Sequence, residues 1–283
     1  MIVIADSGTT KTTWQFVDKD GFNQRFNTVG FNPYYQDSDN IYNNIVTGLI
    51  PNMDMSRPLT HIFFYGAGCE QLDKREQIAG ALRKAFPKTD VWVNHDLLAA
   101  ARALFGDEPG LACISGTGSN TCIYNGKDIT RNVYSGGLFL GDEGSGGYKG
   151  KLFVRAYIRE LLPTHLRKMY EEENSDRTAD MIDSVYLKDF PSRYLASFMP
   201  FIVKNLTDPF MKDLVRSSFK DMFDNCITKY EGYKEVPIGF IGSTAYYTKD
   251  ILEEVGHSYG VTISKIIRNP MDSLSEYHLG SHN

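Results

Sequence analysis

The sequence opens with MIVIADSGTTKTTWQFVDKDG (residues 1–21). A short apolar run, Ile2–Ala5, ends in an acid, Asp6. A polar tip follows, with Ser7, Gly8, Thr9, Thr10, Lys11 and Thr12. A second alternating run from Trp14 to Val17 then stops at Asp18, Asp20 and Gly21. Two such runs around a glycine-bearing tip read as a β-hairpin. An ordinary polar turn needs fewer special residues than this one carries. Backbone N–H groups in a tight glycine turn converge and attract an anion, and glycine lets the backbone approach a phosphate closely. An acid beside a phosphate is repelled unless Mg²⁺ lies between them, often through water. Lys11 would add a point charge. The tip therefore reads as half of a clamp for a nucleotide such as ATP with Mg²⁺, with Asp6 as the metal-side acid.

The triplet Ser-Gly-Thr returns at Ser115–Thr117. There too it follows a short apolar strand, Leu111–Ser115, and precedes a second strand, Thr121–Tyr124, that ends in a charged, glycine-containing turn. This reads as an internal duplication of the hairpin, with one tip for each end of a polyphosphate. Other nucleotide motifs are absent: there is no GxxxxGK[ST] and no GxGxxG.

The rest of the chain supports a packed globular protein. It has 283 residues, 42% hydrophobic and 23% charged, with net charge −5. That is enough for one large or two ordinary domains and does not fit disorder. No Lys/Arg run longer than a pair occurs, so no nucleic-acid partner is expected. No apolar stretch approaches a membrane span, so no membrane partner is expected. The start runs straight into a strand pattern, which predicts no secretory leader and a cytoplasmic protein. The four cysteines, Cys69, Cys113, Cys122 and Cys226, form no CxxC and read as reduced, buried thiols.

The element order begins with three strands (Ile2–Ala5, Thr13–Val17, Gln24–Thr28). A helix from Asp39 to Leu49, a strand Ile62–Tyr65, a helix Gln71–Phe86, a strand Val91–Val93 and a helix from near Asp96 follow. The turn-rich FGDEPG (105–110) marks a boundary. After the second hairpin come a strand near Ile129–Val133 and the glycine-dense SGGLFLGDEGSGGYKG (135–150). The text is then helical to about Tyr230, broken at Pro163, Pro191, Pro200 and Pro209. A strand VPIGFIG, a helix Thr248–Val255, a strand VTISKII and a short tail close the chain. Domains are expected over 1–107 and 108–270, with 271–283 as a tail that could return to the first.

DSGTTKT (6–12), NHD (94–96), ISGTGSN (114–120), GDEGSG (141–146) and IGFIGS (238–243) together make the chain resemble the N-acetylglucosamine kinase branch of the sugar kinase, actin and heat-shock chaperone ATPase superfamily. The resemblance implies an α/β fold of two ribonuclease-H-like domains hinged over a central cleft. It implies phosphate contacts from Gly8, Thr9, Thr10, Gly116 and Thr117, and adenosine contacts from Gly242 and Ser243. Asp96 matches the general base. Asn32, Asn120 and Asp142 match sugar-hydroxyl ligands, with Gly118 in the same loop. Two departures bear on specificity. YGAG (65–68) stands where relatives carry a serine, so Gly66 offers backbone only. Leu138 and Phe139 stand where a tryptophan often precedes the GDEGS motif.

Several of these residues also have plainer readings. Asp96 could cap the helix that it begins. Asp142 and Glu143 could be acids favoured by a helix dipole, and Asn32 a turn residue before Pro33. His95 reads as structural. The expectation is an ATP- and Mg²⁺-dependent kinase for the 6-hydroxyl of an amino sugar, N-acetylglucosamine first, with glucosamine and N-acetylmuramic acid as alternatives and a homodimer possible. The rival is an activator ATPase of an electron-transfer enzyme. That class holds an iron–sulfur cluster on cysteines after the second hairpin, where this chain has none between Asn125 and Gly150.

Overall fold

A computed structural model describes residues 1–8, 11–54 and 56–281. The chain divides into two compact units. The first comprises Met1–Gly106 together with the residues from Pro270 onward, and the second Asp107–Asn269.

In the first unit β1 (Ile2–Ser7), β2 (Lys11–Val17), β3 (Asn23–Val29), β4 (His61–Gly66) and β5 (Asp90–His95) form one sheet in the order β3-β2-β1-β4-β5. The hairpin strands are antiparallel, and β4 and β5 run parallel to β1. Alternation decides the faces. Val3, Ala5, Trp14, Phe16, Ile62, Phe64 and Val93 form one buried cluster with Ile41, Ile45, Ile78 and Leu82. These last residues belong to α1 (Ser38–Asn44), the wider π-helical turn Ile45–Leu49 and α2 (Leu72–Ala85). The single helix expected over 39–49 is thus split, where the β-branched run Ile45–Thr47 is followed by Gly48 and Pro51, all poor helix residues. The other face carries α3 (Asp96–Phe105) and the C-terminal helix Met271–Ser281. The sequence offers only a tail for that last helix.

The second unit repeats the plan. Strands β6 (Pro109–Ser115), β7 (Ser119–Asn125), β8 (Ile129–Val133), β9 (Ile238–Ile241) and β10 (Ile263–Ile267) are ordered β10-β9-β6-β7-β8. The β6–β7–β8 meander is antiparallel, with β9 and β10 parallel to β6. Strand for strand this is the first sheet again, so the duplication read from the two hairpins extends to the whole topology. It is the ribonuclease-H-like, actin-type ATPase plan.

Between β8 and β9 lie α4 (Gly137–Leu140), α5 (Gly146–Ile158), α6 (Thr164–Glu173), α7 (Thr178–Tyr186), α8 (Pro191–Ala196), α9 (Met199–Lys204) and α10 (Pro209–Asn225). The prolines start these helices rather than break them. Pro163 is the cap of α6, and Pro191, Pro200 and Pro209 occupy first-turn positions of α8, α9 and α10, where a missing N–H costs nothing. After β9 come α11 (Ser243–Tyr247) and α12 (Lys249–Ser258). Leu111, Cys113, Ile238 and Phe240 of the sheet share one core with Phe153, Tyr157, Phe219, Met222 and Leu252. Among the described residues no helix is long and apolar enough to cross a membrane.

Candidate active site

The carboxyl ends of parallel strands are where open α/β sheets hold ligands. In the first unit that edge collects Asp6, Gly8, Lys11, Gly66 and Asp96. Asp6 pairs with Thr13 on β2 and Tyr65 on β4, and Tyr65 pairs in turn with Asn94 on β5. The tip is braced from below. The buried Ser7 hydroxyl lies 2.6 Å from that of Thr12 and accepts the Phe31 N–H at 3.0 Å. Gly8 donates its N–H to the Lys11 carbonyl. Among the described residues, a Cβ added at Gly8 would meet only that carbonyl, at 3.8 Å. Thr9 and Thr10 lie outside the described residues.

Asp6 is half-buried, and its pKa is pushed up to about 7, first by burial and then by the charge of Asp96, while Lys11 pulls it down. Asp96 is the first residue of α3, and the cap position is held by His95. The capping role considered for Asp96 is therefore not the one it occupies. Burial raises its pKa to about 6 against the lowering hydrogen bond from the Leu97 N–H, and the charge of Glu70 adds to the rise. Burial, then Arg75, drives His95 down to about 4, so it stays neutral at ordinary pH.

Asn32 is buried, and its side-chain oxygen accepts the Tyr34 N–H at 3.0 Å; the turn role is real whatever else Asn32 binds. Gly66 has its own packing reason, since a Cβ would fall 2.6 Å from the Phe64 ring.

In the second unit the same edge brings Gly116, Thr117, Gly118, Asn120, Asp142, Gly242 and Ser243 together. Gly116 again has nothing within 4 Å of an added Cβ. Gly242 differs. Its φ is +127°, and a Cβ would stand 2.3 Å from the Ser115 carbonyl, so only glycine fits. Thr244, next to the exposed Ser243, donates its hydroxyl to the Gly116 carbonyl at 3.0 Å. The first N–H groups of α5 hold the tip from another side, Gly146 to Gly116 O at 2.8 Å and Gly147 to Thr117 O at 2.9 Å.

Asp142 precedes α5, whose cap is Ser145, so neither Asp142 nor Glu143 serves as a first-turn acid. Asp142 is buried in the left-handed region (φ 58°), a conformation that costs on the order of 1–3 kcal/mol for such residues. One carboxylate oxygen accepts the Ser119 N–H at 3.3 Å, and the other lies beside Gly118. Burial raises its pKa first, against the Ser119 and Ser135 hydrogen bonds. The Asn120 side-chain oxygen accepts from Thr121 N and Asn132 Nδ2, which leaves its amide donors for a ligand.

Comparison with solved structures gives the fold its relatives. A candidate N-acetylglucosamine kinase from Porphyromonas gingivalis is 38% identical over the whole of both chains, with a TM-score of 0.95. The chain belongs to this N-acetylglucosamine kinase-like family of sugar kinases. A second candidate N-acetylglucosamine kinase, from Chromobacterium violaceum, shares the fold at 17% identity and a TM-score of 0.72, with 98% of each chain covered. Component A of (R)-2-hydroxyglutaryl-CoA dehydratase from Acidaminococcus fermentans shares it at 13% identity and a TM-score of 0.50, over 99% of this chain and 95% of that one. No family model and no curated protein matches the chain.

Three residues of the kinase-like second unit escaped the sequence reading: Ser115 as a brace, Thr244 and Lys149. Lys149 stands on the face of α5 that also carries Phe153 and Tyr157, and it is fully buried. Its four-residue spacing from Phe153 is the signal that could have found it.

Proposed function

We propose that the protein is a kinase that uses ATP and Mg²⁺ to phosphorylate the 6-hydroxyl of an amino sugar, with N-acetylglucosamine as the substrate. One observation carries the reading. The same glycine-tipped hairpin closes the same strand pair in both sheets, and at Gly8 and Gly116 an added Cβ meets nothing closer than 3.8 Å among the described residues. Glycine with such room at two equivalent tips fits backbone approach to phosphate.

The acids fit a cation. The position equivalent to Asp6 in the second unit is Ile114, so only the first hairpin carries an acid directly before its Ser-Gly-Thr. Burial and the charge of Asp96 raise the pKa of Asp6, and a cation bound beside it would favour its charged form. Asp6 would hold Mg²⁺, the metal neutralising phosphate charge when bound. Gly8, Thr9, Thr10 and Lys11 would take one end of the polyphosphate and Gly116 and Thr117 the other, with Gly242 and Ser243 against adenosine. Asn32, Asn120 and Asp142, with the backbone at Gly66 and Gly118, would orient the sugar, which converts a bimolecular encounter into a positioned one. Asp96, with its pKa near 6, is unprotonated at neutral pH and basic enough to accept the hydroxyl proton.

The dehydratase component has the same fold, but all four cysteines here are buried. A cluster shared between subunits needs exposed ones, which favours the kinase. The deciding experiment is coupled ADP release with Mg²⁺ and ATP across a panel of amino and plain hexoses. Turnover should be highest with N-acetylglucosamine. ADP release indifferent to every hexose would reject the proposal.

A further inference from the structure

Lys149 is a long basic side chain with no exposed surface, and among the described residues it has no carboxylate within ion-pair distance. Its Nζ donates to the Gly144 carbonyl and lies 3.7 Å from the centroid of the Phe219 ring. Burying such a group is costly unless a hydrogen bond compensates it. A Met or Leu would fill the same space without that cost.

The carbonyl it holds is a junction. The buried Ser115 hydroxyl donates to the same oxygen at 2.7 Å. The Gly144 N–H donates to Ser218 Oγ at 3.2 Å. Gly144 has φ +79°, and an added Cβ would sit 2.4 Å from the Met222 sulfur, so it cannot move or be replaced without disturbance. On one side of the junction Ser115 leads directly into Gly116 and Thr117, the tip assigned to phosphate. On the other, Gly144 lies two residues after Asp142, the strained acid assigned to the sugar.

We infer that Lys149 and Ser115 are positioning residues that couple nucleotide binding to sugar binding through the Gly144 carbonyl. The inference rests on the kinase reading above. Further bonds complete the link, since Ser119 N–H holds the Asp142 carboxylate while Gly146 and Gly147 hold the tip carbonyls. The two ligand-bearing segments share their supports, so an anion that fixes the tip also fixes Asp142. By linkage, sugar then tightens nucleotide by the same factor.

The test is calorimetric titration of the full chain with N-acetylglucosamine, with and without a non-hydrolysable ATP analogue and Mg²⁺. In the wild type the analogue should tighten sugar binding at least about fivefold. Lys149→Met and Ser115→Ala should each reduce that factor to below about twofold, and the double variant should lose no more than either alone. Thermal unfolding followed by circular dichroism identifies a variant that has failed to fold, and if Lys149→Met fails, Ser115→Ala decides. Wild-type coupling in both variants, or both ligands weakened with their ratio unchanged, overturns the inference alone. A wild type that binds no hexose overturns the kinase reading and this inference with it.

Discussion

Asp6 and Asp96 leave the carboxyl ends of β1 and β5 with only β4 between them, and the charge of Asp96 helps to raise the pKa of Asp6 to about 7. Two strand spacings put their backbones roughly 10 Å apart. A fold selected for stability alone gains nothing by crowding two half-buried carboxylates at one edge. A fold that must hold a cation and remove a proton there does.

That conflict makes the first prediction two-sided. Asp96→Asn keeps the shape and the oxygen that accepts the Leu97 N–H but removes the charge. Sugar-dependent turnover should fall by about 10²–10⁴, with ATP binding nearly intact. The same variant should be more stable than wild type at pH 7.5, by about 1 to 3 kcal/mol for a pKa raised by this amount. Urea midpoints and ADP release on one preparation check both halves. A variant that is less stable or still turns over briskly contradicts the assignment.

The pH dependence of rate and of stability should run in opposite directions. With Mg²⁺ saturating, so that Asp6 stays ionised, the base must be unprotonated and kcat/KM should be flat above pH 7 and fall about tenfold per unit well below the pKa of about 6. The folded pKa of Asp96 is raised, so its contribution to stability is fully present below the unfolded value of 3.8 and is lost as pH rises through about 6. Rate profiles and denaturant midpoints between pH 5 and 8 measure the two slopes. A rate that stays constant down to pH 5 removes Asp96 from the proton transfer.

The sequence shows the hairpins and the succession of strands because each rests on local signals: alternation, glycine turns and charged stops. It does not show the C-terminal helix, whose eleven residues mix Ser, His and Tyr with few aliphatics and gain their helicity by docking on α3 and β1. Lys149 was hidden for a similar reason. A lysine reads as exposed until the helix face around it is known to be core. Asp142 was assigned by motif, but its left-handed backbone and its contact with Gly118 follow from tertiary packing that no local pattern encodes.

Glycine substitutions should separate ligand-facing tips from internal packing. Gly8→Ala and Gly116→Ala have room for the methyl group and no left-handed φ, so stability should stay within about 0.5 kcal/mol of wild type. ATP affinity should nonetheless drop, since the methyl group points into the space assigned to phosphate. Gly242→Ala should instead cost more than about 1–3 kcal/mol, because a left-handed backbone and a 2.3 Å approach to the Ser115 carbonyl combine. Denaturation and nucleotide titration of the three variants give the pattern. Unchanged nucleotide affinity in both tip variants would remove the clamp.

The C-terminal helix reaches the same edge from behind. Arg102 donates to the Tyr65 hydroxyl at 2.9 Å, and the same hydroxyl lies 2.8 Å from His278 Nε2, within hydrogen-bond distance. His278 also stacks on Phe63 at 3.9 Å, and Arg25 pairs with Asp272 at the start of the helix. Tyr65 is the strand neighbour of Asp6. His278→Ala removes the hydrogen-bond partner and the stack, and should lower stability by about 2 kcal/mol. His278→Gln can still hydrogen-bond the Tyr65 hydroxyl and should recover part of that loss. Because Tyr65 flanks Asp6, the Ala variant should also weaken Mg²⁺-dependent ATP binding, whereas Asp272→Ala, which removes the exposed partner of Arg25, should change stability by no more than about 1 kcal/mol and leave nucleotide affinity alone. Equal effects of the two variants on ATP binding would mean that the helix supports the unit generally and has no particular connection with the metal-side acid.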